Sequence, residues 1–395
     1  MSVFDNMKAA SGTGTASGTF PIIKNSANGK MKNLKLFGAS TKAEGQIESV
    51  VLKGVTATGK NLFGFGKNAI DKTSELRPQF TQQLILSSVD NNPNKIKCVF
   101  NNGTWSVGFI EISGLDGTKD YSISYNIENN TTSYKPSFEI RPTYSDTTKL
   151  ILQISANNGN TTMSDTDYFI LSDIQVEAGT AATEFEPFKA NIANLPEAIE
   201  LNGIDEVKDY IDYERGVFVQ KFGVAVLDGS EDEGLALGTT ANGLKRMQIN
   251  ISDIKPASNV NVKTNILCDS YITTTAGENY MENEGIAVTT SNLLYVYDAR
   301  FKTSSVSEWK AHFAANPITI VYELEEPIET PLSPAALLEL NKLRTFDSTT
   351  CVSNDAGAEM EIEYFKNNAT GQAMSDIHAG VPRFVLDGTT LNIIV

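Results

Sequence analysis

Histidine is nearly absent from this sequence. The 395 residues include two, His312 and His378. No H-E-x-x-H zinc helix can be written from them, and no G-x-S-x-G elbow stands anywhere in the chain. His312 falls in a predicted helix, where a structural role is expected. Cysteine is scarce as well. Cys98, Cys268 and Cys351 are far apart and form no C-x-x-C pair. An odd number does not suit a disulfide framework, so free thiols in a reducing cytoplasm are expected. Positive charge is in deficit: 32 Lys and Arg face 48 Asp and Glu, a formal net charge of −16. That balance opposes a duplex nucleic-acid binder, which needs clustered cations, and equally a protein docking on anionic membrane. No apolar run approaches the ~20 residues of a membrane helix. Residues 1–20 lack the charged start and apolar block of a secretory leader.

The polar residues that are present are mainly Asn, Thr, Ser and Gly, which is turn and strand chemistry. A hydrophobic fraction of 41% is enough for buried cores. From about Gly45 the apolar residues alternate. The clearest case is 120–127, where Tyr121, Ile123, Tyr125 and Ile127 share one phase. Further strands are expected at 80–88, 95–100, 105–112, around Phe138 and Ile140, and at 150–154. Asn- and Gly-rich breakers separate them, as at Asn91–Asn94, Asn101–Gly103, Leu115–Gly117 and Asn157–Asn160. Short strands at this spacing predict a sandwich or barrel rather than βαβ units, and 46–192 is read as one sandwich. Within 168–177, Phe169 and Leu171 keep one phase while Ile174 and Val176 keep the other. The slip predicts a bulge near Ser172–Asp173. Phe185 and Phe188 are expected to fold back and close the bottom of this sandwich.

The expected class is all-β: two jelly-roll-like β-sandwich domains, a flexible N-terminal arm and few short helices. The boundaries read as 1–45 for the arm, 46–192 for the first sandwich, 193–366 for the second and 367–395 for a tail. The arm rests on the low-complexity run Ser11–Thr19. In the second sandwich, residues 209–222 predict a hairpin with Gly216 supplying a positive φ. Strands are expected at 224–227, 247–251, 260–267 and 293–297. Ser305 with Glu308 reads as a capping box for a helix carrying Trp309 and Phe313. Ser333 with Pro334 opens another helix, with Leu337, Leu338 and Leu340 as its apolar residues. Residues 359–365 put Met360, Ile362 and Tyr364 inward. The tail predicts a terminal hairpin around Asp387–Gly388.

Little of this carries chemistry. Gly59–Asn68 fails as a phosphate loop, because Gly66-Lys67 is followed by Asn68. Glu231-Asp232-Glu233 reads as a solvated loop. Trp105, Tyr134 and Tyr144, with Arg141, are the candidate carbohydrate-binding residues, since sugar faces stack on aromatic rings while polar neighbours bind hydroxyls. For any single one of them, rim packing of the sandwich is the preferred reading. Asp173 and Glu177 are candidate calcium ligands, without the D-x-D-x-D-G spacing of a dedicated loop. No other cofactor is expected, and no catalytic residue is assigned.

Several ordered segments resemble tail-tip, baseplate or tail-fibre proteins of tailed bacteriophages and phage-tail-like particles of Gram-positive hosts. Leu36–Thr41 followed by Gly59–Phe63 resembles the start of their lectin-like domains. Asp173–Gly179 with Ala182–Phe188 resembles the closing strand of their jelly-roll module. Asp209–Gly216 with Leu227–Glu231, then Asp298–Phe301, Val306–Lys310, Asn316–Glu323 and Thr345–Thr350, resembles the domain that follows. The resemblance spans about 33–366. It implies a virion protein, assembled in the host cytoplasm, commonly a homotrimer or ring member. It further implies attachment to other tail proteins through the arm and recognition of host-surface glycan. The expected function is a non-enzymatic, receptor-binding-type tail protein. The alternative is a polysaccharide-degrading tail enzyme, disfavoured by the missing β-helix repeats and scarce histidine. The overall negative charge makes an uncharged or cationic glycan the more comfortable ligand.

Overall fold

The computed structural model describes residues 13–76, 83–101, 105–128, 131, 136–143, 150–157, 163–231, 236–239, 245–276, 284–300, 305–366, 383–387 and 390–394. The chain is an all-β protein built from antiparallel strands. Among the described residues there are three short helices, Thr73–Leu76, Val306–Ala315 and Pro334–Leu340. No helix among them is long and apolar enough to cross a membrane. The chain divides into two compact units. One comprises residues 1–34, 53–196 and 338–395, the other 35–52 and 197–337. The boundaries read from sequence are consecutive, whereas each of these units is assembled from separated segments.

The first unit contains two four-stranded sheets. One runs in the order Ser137–Pro142, Leu150–Asn157, Trp105–Ile112 and Ala69–Asp71. The other runs Tyr121–Glu128, Tyr168–Ala178, Asn92–Val99 and Ile85–Val89. Strand alternation sends Ile110, Ile112, Leu152 and Ile154 from the first sheet, and Ile96, Phe169, Leu171, Ile174 and Val176 from the second, into one core. Each such buried side chain contributes roughly 1.5–3 kcal/mol relative to exposure. The expected bulge is present. Ser124 pairs with Gln175 and Asn126 pairs with Ser172, so Asp173 and Ile174 together oppose Tyr125. Asp173 takes φ 50°. The extra residue reverses the alternation, and both apolar phases therefore reach the same core.

The segment after this strand is tied down by side chains rather than by strand pairing. Asn61 donates to the carbonyls of Ile174 (2.9 Å) and Glu186 (3.0 Å). Gln175 accepts from the Glu186 N–H at 2.8 Å, and Asn94 accepts from the Phe188 N–H at 2.9 Å. Phe188 then covers Gly64, where a Cβ would stand 2.5 Å from the ring. The expected fold-back of Phe188 is present, and its cause is this row of buried amides.

Residues 13–45 differ from the expected flexible arm. Thr13–Gly18 pairs along its whole length with Glu359–Phe365, and Ile22–Ser26 pairs with Ser348–Asn354. Small residues that read locally as a linker also make a strand able to lie close against large neighbours. At Gly14 a Cβ would stand 2.5 Å from the Tyr364 ring. Met360, Ile362 and Tyr364 are buried as expected. Residues 1–12 lie outside the described part of the chain, as do 367–382. The terminal hairpin is present, with Arg383–Asp387 antiparallel to Thr390–Ile394.

In the second unit, Tyr210–Asp212 and Val217–Leu227 form the expected hairpin, with Gly216 at φ 67°. Ile318–Pro331 pairs with Val217–Leu227 on one side and Ile266–Cys268 on the other. A four-stranded sheet runs Ala236–Thr239, Lys245–Asn250, Leu293–Asp298 and Gly285–Val288. Met247, Ile249, Leu294 and Val296 from it share a core with Ile318, Ile320 and the helix residues Trp309 and Phe313. Ser305 stands at the helix N-terminus but makes no side-chain cap bond; its hydroxyl meets Ser307 instead, at 2.6 Å, so the expected capping box is not formed. Ser333 does cap its helix, accepting the Ala336 N–H at 3.2 Å. Leu340 is buried, but Leu338 is 67% exposed rather than part of the apolar face. The strand expected at 260–267 shrinks to Ile266–Cys268. Asn259 explains this, because its side chain accepts the Asn261 N–H at 2.7 Å and turns the backbone away from a ladder.

Candidate functional site

Two of the four candidate carbohydrate-binding residues, Tyr134 and Tyr144, lie outside the described residues. The other two share a sheet but not a site. Trp105 sits opposite Asn157 on the strand Leu150–Asn157, and Arg141 sits opposite Ile151 of that same strand. Six residues of strand put them ~20 Å apart. Both alternate away from the main core. Trp105 is half-buried against Val107, Phe109 and Ile151, beside Leu76. Arg141 donates to the Gln153 side-chain oxygen at 3.3 Å.

The candidate calcium ligands are also separated. Asp173 is exposed at the bulge and accepts from Asn126 at 2.9 Å. Glu177 lies four residues further along the strand, ~13 Å away. Its side chain is buried and committed to the fold. One carboxylate oxygen takes the Thr183 N–H at 2.5 Å, and the other takes the Thr183 hydroxyl at 2.8 Å and the Gln175 amide at 3.2 Å. Among the described residues no group of three or more His, Cys, Asp or Glu side chains is placed to hold a metal ion.

A cleft that sequence reading did not single out lies wholly in the second unit. Its volume is about 270 Å³. One wall is the loop that replaces the expected strand, and the other is the first half of Ile318–Pro331, at Tyr322 and Glu323. The loop is held by exchange of backbone bonds, Lys255 N–H to the Glu323 carbonyl at 2.8 Å and Glu323 N–H to the Asn265 carbonyl at 3.0 Å. The cleft is lined by Lys255, Ser258, Lys263, Asn265, Tyr322 and Glu323, together with Ile254, Val262 and Val288. The Glu323 carboxylate is fixed from both sides, by Lys255 at 2.5 Å and by the Asn265 amide at 2.7 Å. Tyr322 donates to Asp253 at 3.0 Å, and burial pushes its phenol well above the ordinary range. Lys263 is exposed and has no ion-pair partner among the described residues. Among the described residues, the lining thus holds one pinned carboxylate, one lysine paired with it and one exposed lysine without an ion-pair partner.

The other strong polar clusters serve the fold. Asp298 is fully buried, accepts the Tyr271 hydroxyl at 2.7 Å and is bound by Arg300 through two guanidinium nitrogens. Burial pushes the carboxyl up, but Arg300 and Tyr271 outweigh it and hold it below the ordinary range. Asp209 is buried too. It accepts the N–H groups of Lys221 (2.6 Å), Phe222 (3.0 Å) and Asn202 (2.9 Å), which fixes the register shift between Gln220 and Phe222. Burial raises its carboxyl despite these donors.

The signal for the cleft was present but weak: Lys255-Pro256, then two asparagines at 259 and 261, form a breaker pattern inside an apparently alternating run. Glu323, inside the apolar run 318–324, was the other sign. Compared with family models, with curated proteins and with solved structures, the chain has no match in any of the three.

Proposed function

We propose that this chain is a non-enzymatic structural component of a bacteriophage tail or phage-tail-like particle, of the baseplate or tail-fibre kind, and that it contributes to recognition of host-surface glycan. One observation carries the reading. The segments that resemble the closing strand of such modules, Asp173–Gly179 and Ala182–Phe188, are here the bulged strand and the amide-tied strap that close a two-sheet β-unit around one core. Under this reading the protein is a virion component that assembles in the host cytoplasm, self-associates as a homotrimer and contacts other tail proteins through its N-terminal residues.

The test is immunogold labelling of particles released by lysis, together with adhesion of the purified chain to host cells and wall polysaccharide. Label at the tail tip with saturable adhesion supports the proposal. Label absent from particles removes the virion half, and adhesion absent from cells and polysaccharide removes the recognition half. Reducing ends released from wall polysaccharide would replace it with the enzyme alternative.

A further inference from the structure

We propose that the cleft beside Glu323 is a saccharide subsite that takes a single pyranose unit carrying one carboxylate. Its biological meaning rests on the glycan-recognition reading above, but its chemistry stands on the cleft alone. The volume of about 270 Å³ lies just under the usual range of small-molecule sites, so it suits one sugar ring rather than an oligomer. Val262, on the loop wall and 42% exposed, gives an aliphatic surface against which the C–H face of a ring can lie.

The polar groups offer a sugar's hydroxyls acceptors and a donor. Glu323 accepts from Lys255 and Asn265, and a carboxylate has about four acceptor positions, leaving lone pairs for hydroxyl donors. Asn265 donates through its amide nitrogen and keeps its carbonyl oxygen as an acceptor. Ser258 adds a hydroxyl.

Charge selects the acid. Lys255 is neutralised by Glu323, while Lys263 is not neutralised by any described residue. A neutral sugar leaves the Lys263 ammonium to water. A carboxylate on the ring gains a charge-assisted bond. The net charge of −16 opposes anions at long range, but at 0.1 M salt that field fades over ~10 Å, and the charges inside the cleft then decide.

The experiment is titration of the full chain with D-glucuronate, D-glucose and acetate, followed by saturation-transfer NMR. Glucuronate is expected to bind saturably and about tenfold more tightly than glucose or acetate. Lys263→Ala is expected to reduce glucuronate to the level of glucose, and Lys263→Arg to retain the preference. Lys263 is a surface residue, so native near-UV circular dichroism of each variant is the control for folding. No saturable binding of glucuronate overturns the proposal, and so does unchanged glucuronate affinity in Lys263→Ala. The two readings fail separately. Host adhesion without glucuronate binding removes the subsite and keeps the adhesin, whereas glucuronate binding without adhesion keeps the subsite and removes the adhesin.

Discussion

Gly38 and Gly203 bring two backbones within van der Waals contact: a Cβ on Gly203 would stand 2.4 Å from the Gly38 carbonyl oxygen, and a Cβ on Gly38 would stand 2.3 Å from the carbonyl oxygen of Asn202. Both obstacles are backbone atoms, which cannot swing aside as a side chain can. Gly38→Ala and Gly203→Ala are therefore each expected to destabilise the second unit by about 1–3 kcal/mol or more. Urea denaturation followed by tryptophan fluorescence reads this directly, since Trp309 is in the core of that unit.

The first unit has a comparable single point of dependence at Glu177. Glu177→Ala leaves the Thr183 N–H and hydroxyl without their acceptor. A loss of about 1–3 kcal/mol is expected, with earlier proteolytic cleavage in 180–188. Glu177→Gln keeps one acceptor oxygen, so its loss should be smaller. Equal stability of Glu177→Ala and the parent would mean that the strap is held by its other amides alone.

Acid should act on Asp298. Its carboxyl lies below the ordinary range in the folded protein, so the folded state binds the proton less readily than the unfolded chain. The stabilisation is complete above the unfolded value of ~3.9 and is lost as pH falls through the depressed folded value. The melting temperature of the second unit is expected to fall across that window. Asp298→Asn should be less stable at pH 7 and should show a flatter profile in acid. Asp209 has the opposite sign. Its raised carboxyl favours the folded state at low pH and loses that advantage as pH rises through the folded value, which partly offsets the acid loss from Asp298.

All three thiols are buried. Burial raises Cys98 well above the ordinary thiol value and pushes Cys351 up to about 12. Ellman's reagent at pH 8 is expected to react negligibly with the native protein and with three thiols after denaturation, with and without reductant. Fewer than three after denaturation without reductant would reveal a disulfide.

Much of the fold was legible because it is local. The phase slip from Phe169–Leu171 to Ile174–Val176 marked the bulge, the spacing around Gly216 marked a hairpin, and Trp309 with Phe313 marked the buried side of a helix. What was not legible depends on partners distant in sequence. Nothing in Ser11–Thr19 announces that Gly14 will face Tyr364. The capping box at Ser305 followed the preferred spacing, yet a neighbouring hydroxyl at Ser307 took the bond. The sites followed the same rule. Trp105 and Arg141 have the right residue types, and the strand between them holds them apart. Lys255 beside a proline and Glu323 within an apolar run each stand out a little in sequence, but nothing there pairs them, and a loop brings them together.

The interleaving of the two units fixes an order of events during synthesis. Thr13 leaves the ribosome well before its strand partner Phe365, which lies about 350 residues further along the chain. Ile22 waits in the same way for Cys351. Every residue of the second unit emerges between those two moments. The second unit is thus free to fold while the first is still missing its final strands. At ~5–20 residues per second, the N-terminal strands spend tens of seconds unpaired, and contacts of this sequence separation form slowly. A nascent chain that reaches completion with Thr13–Gly18 still open presents an uncapped strand edge to its neighbours. The pairing of residues 359–365 with that edge is the step at which growth temperature and chaperone supply should govern yield.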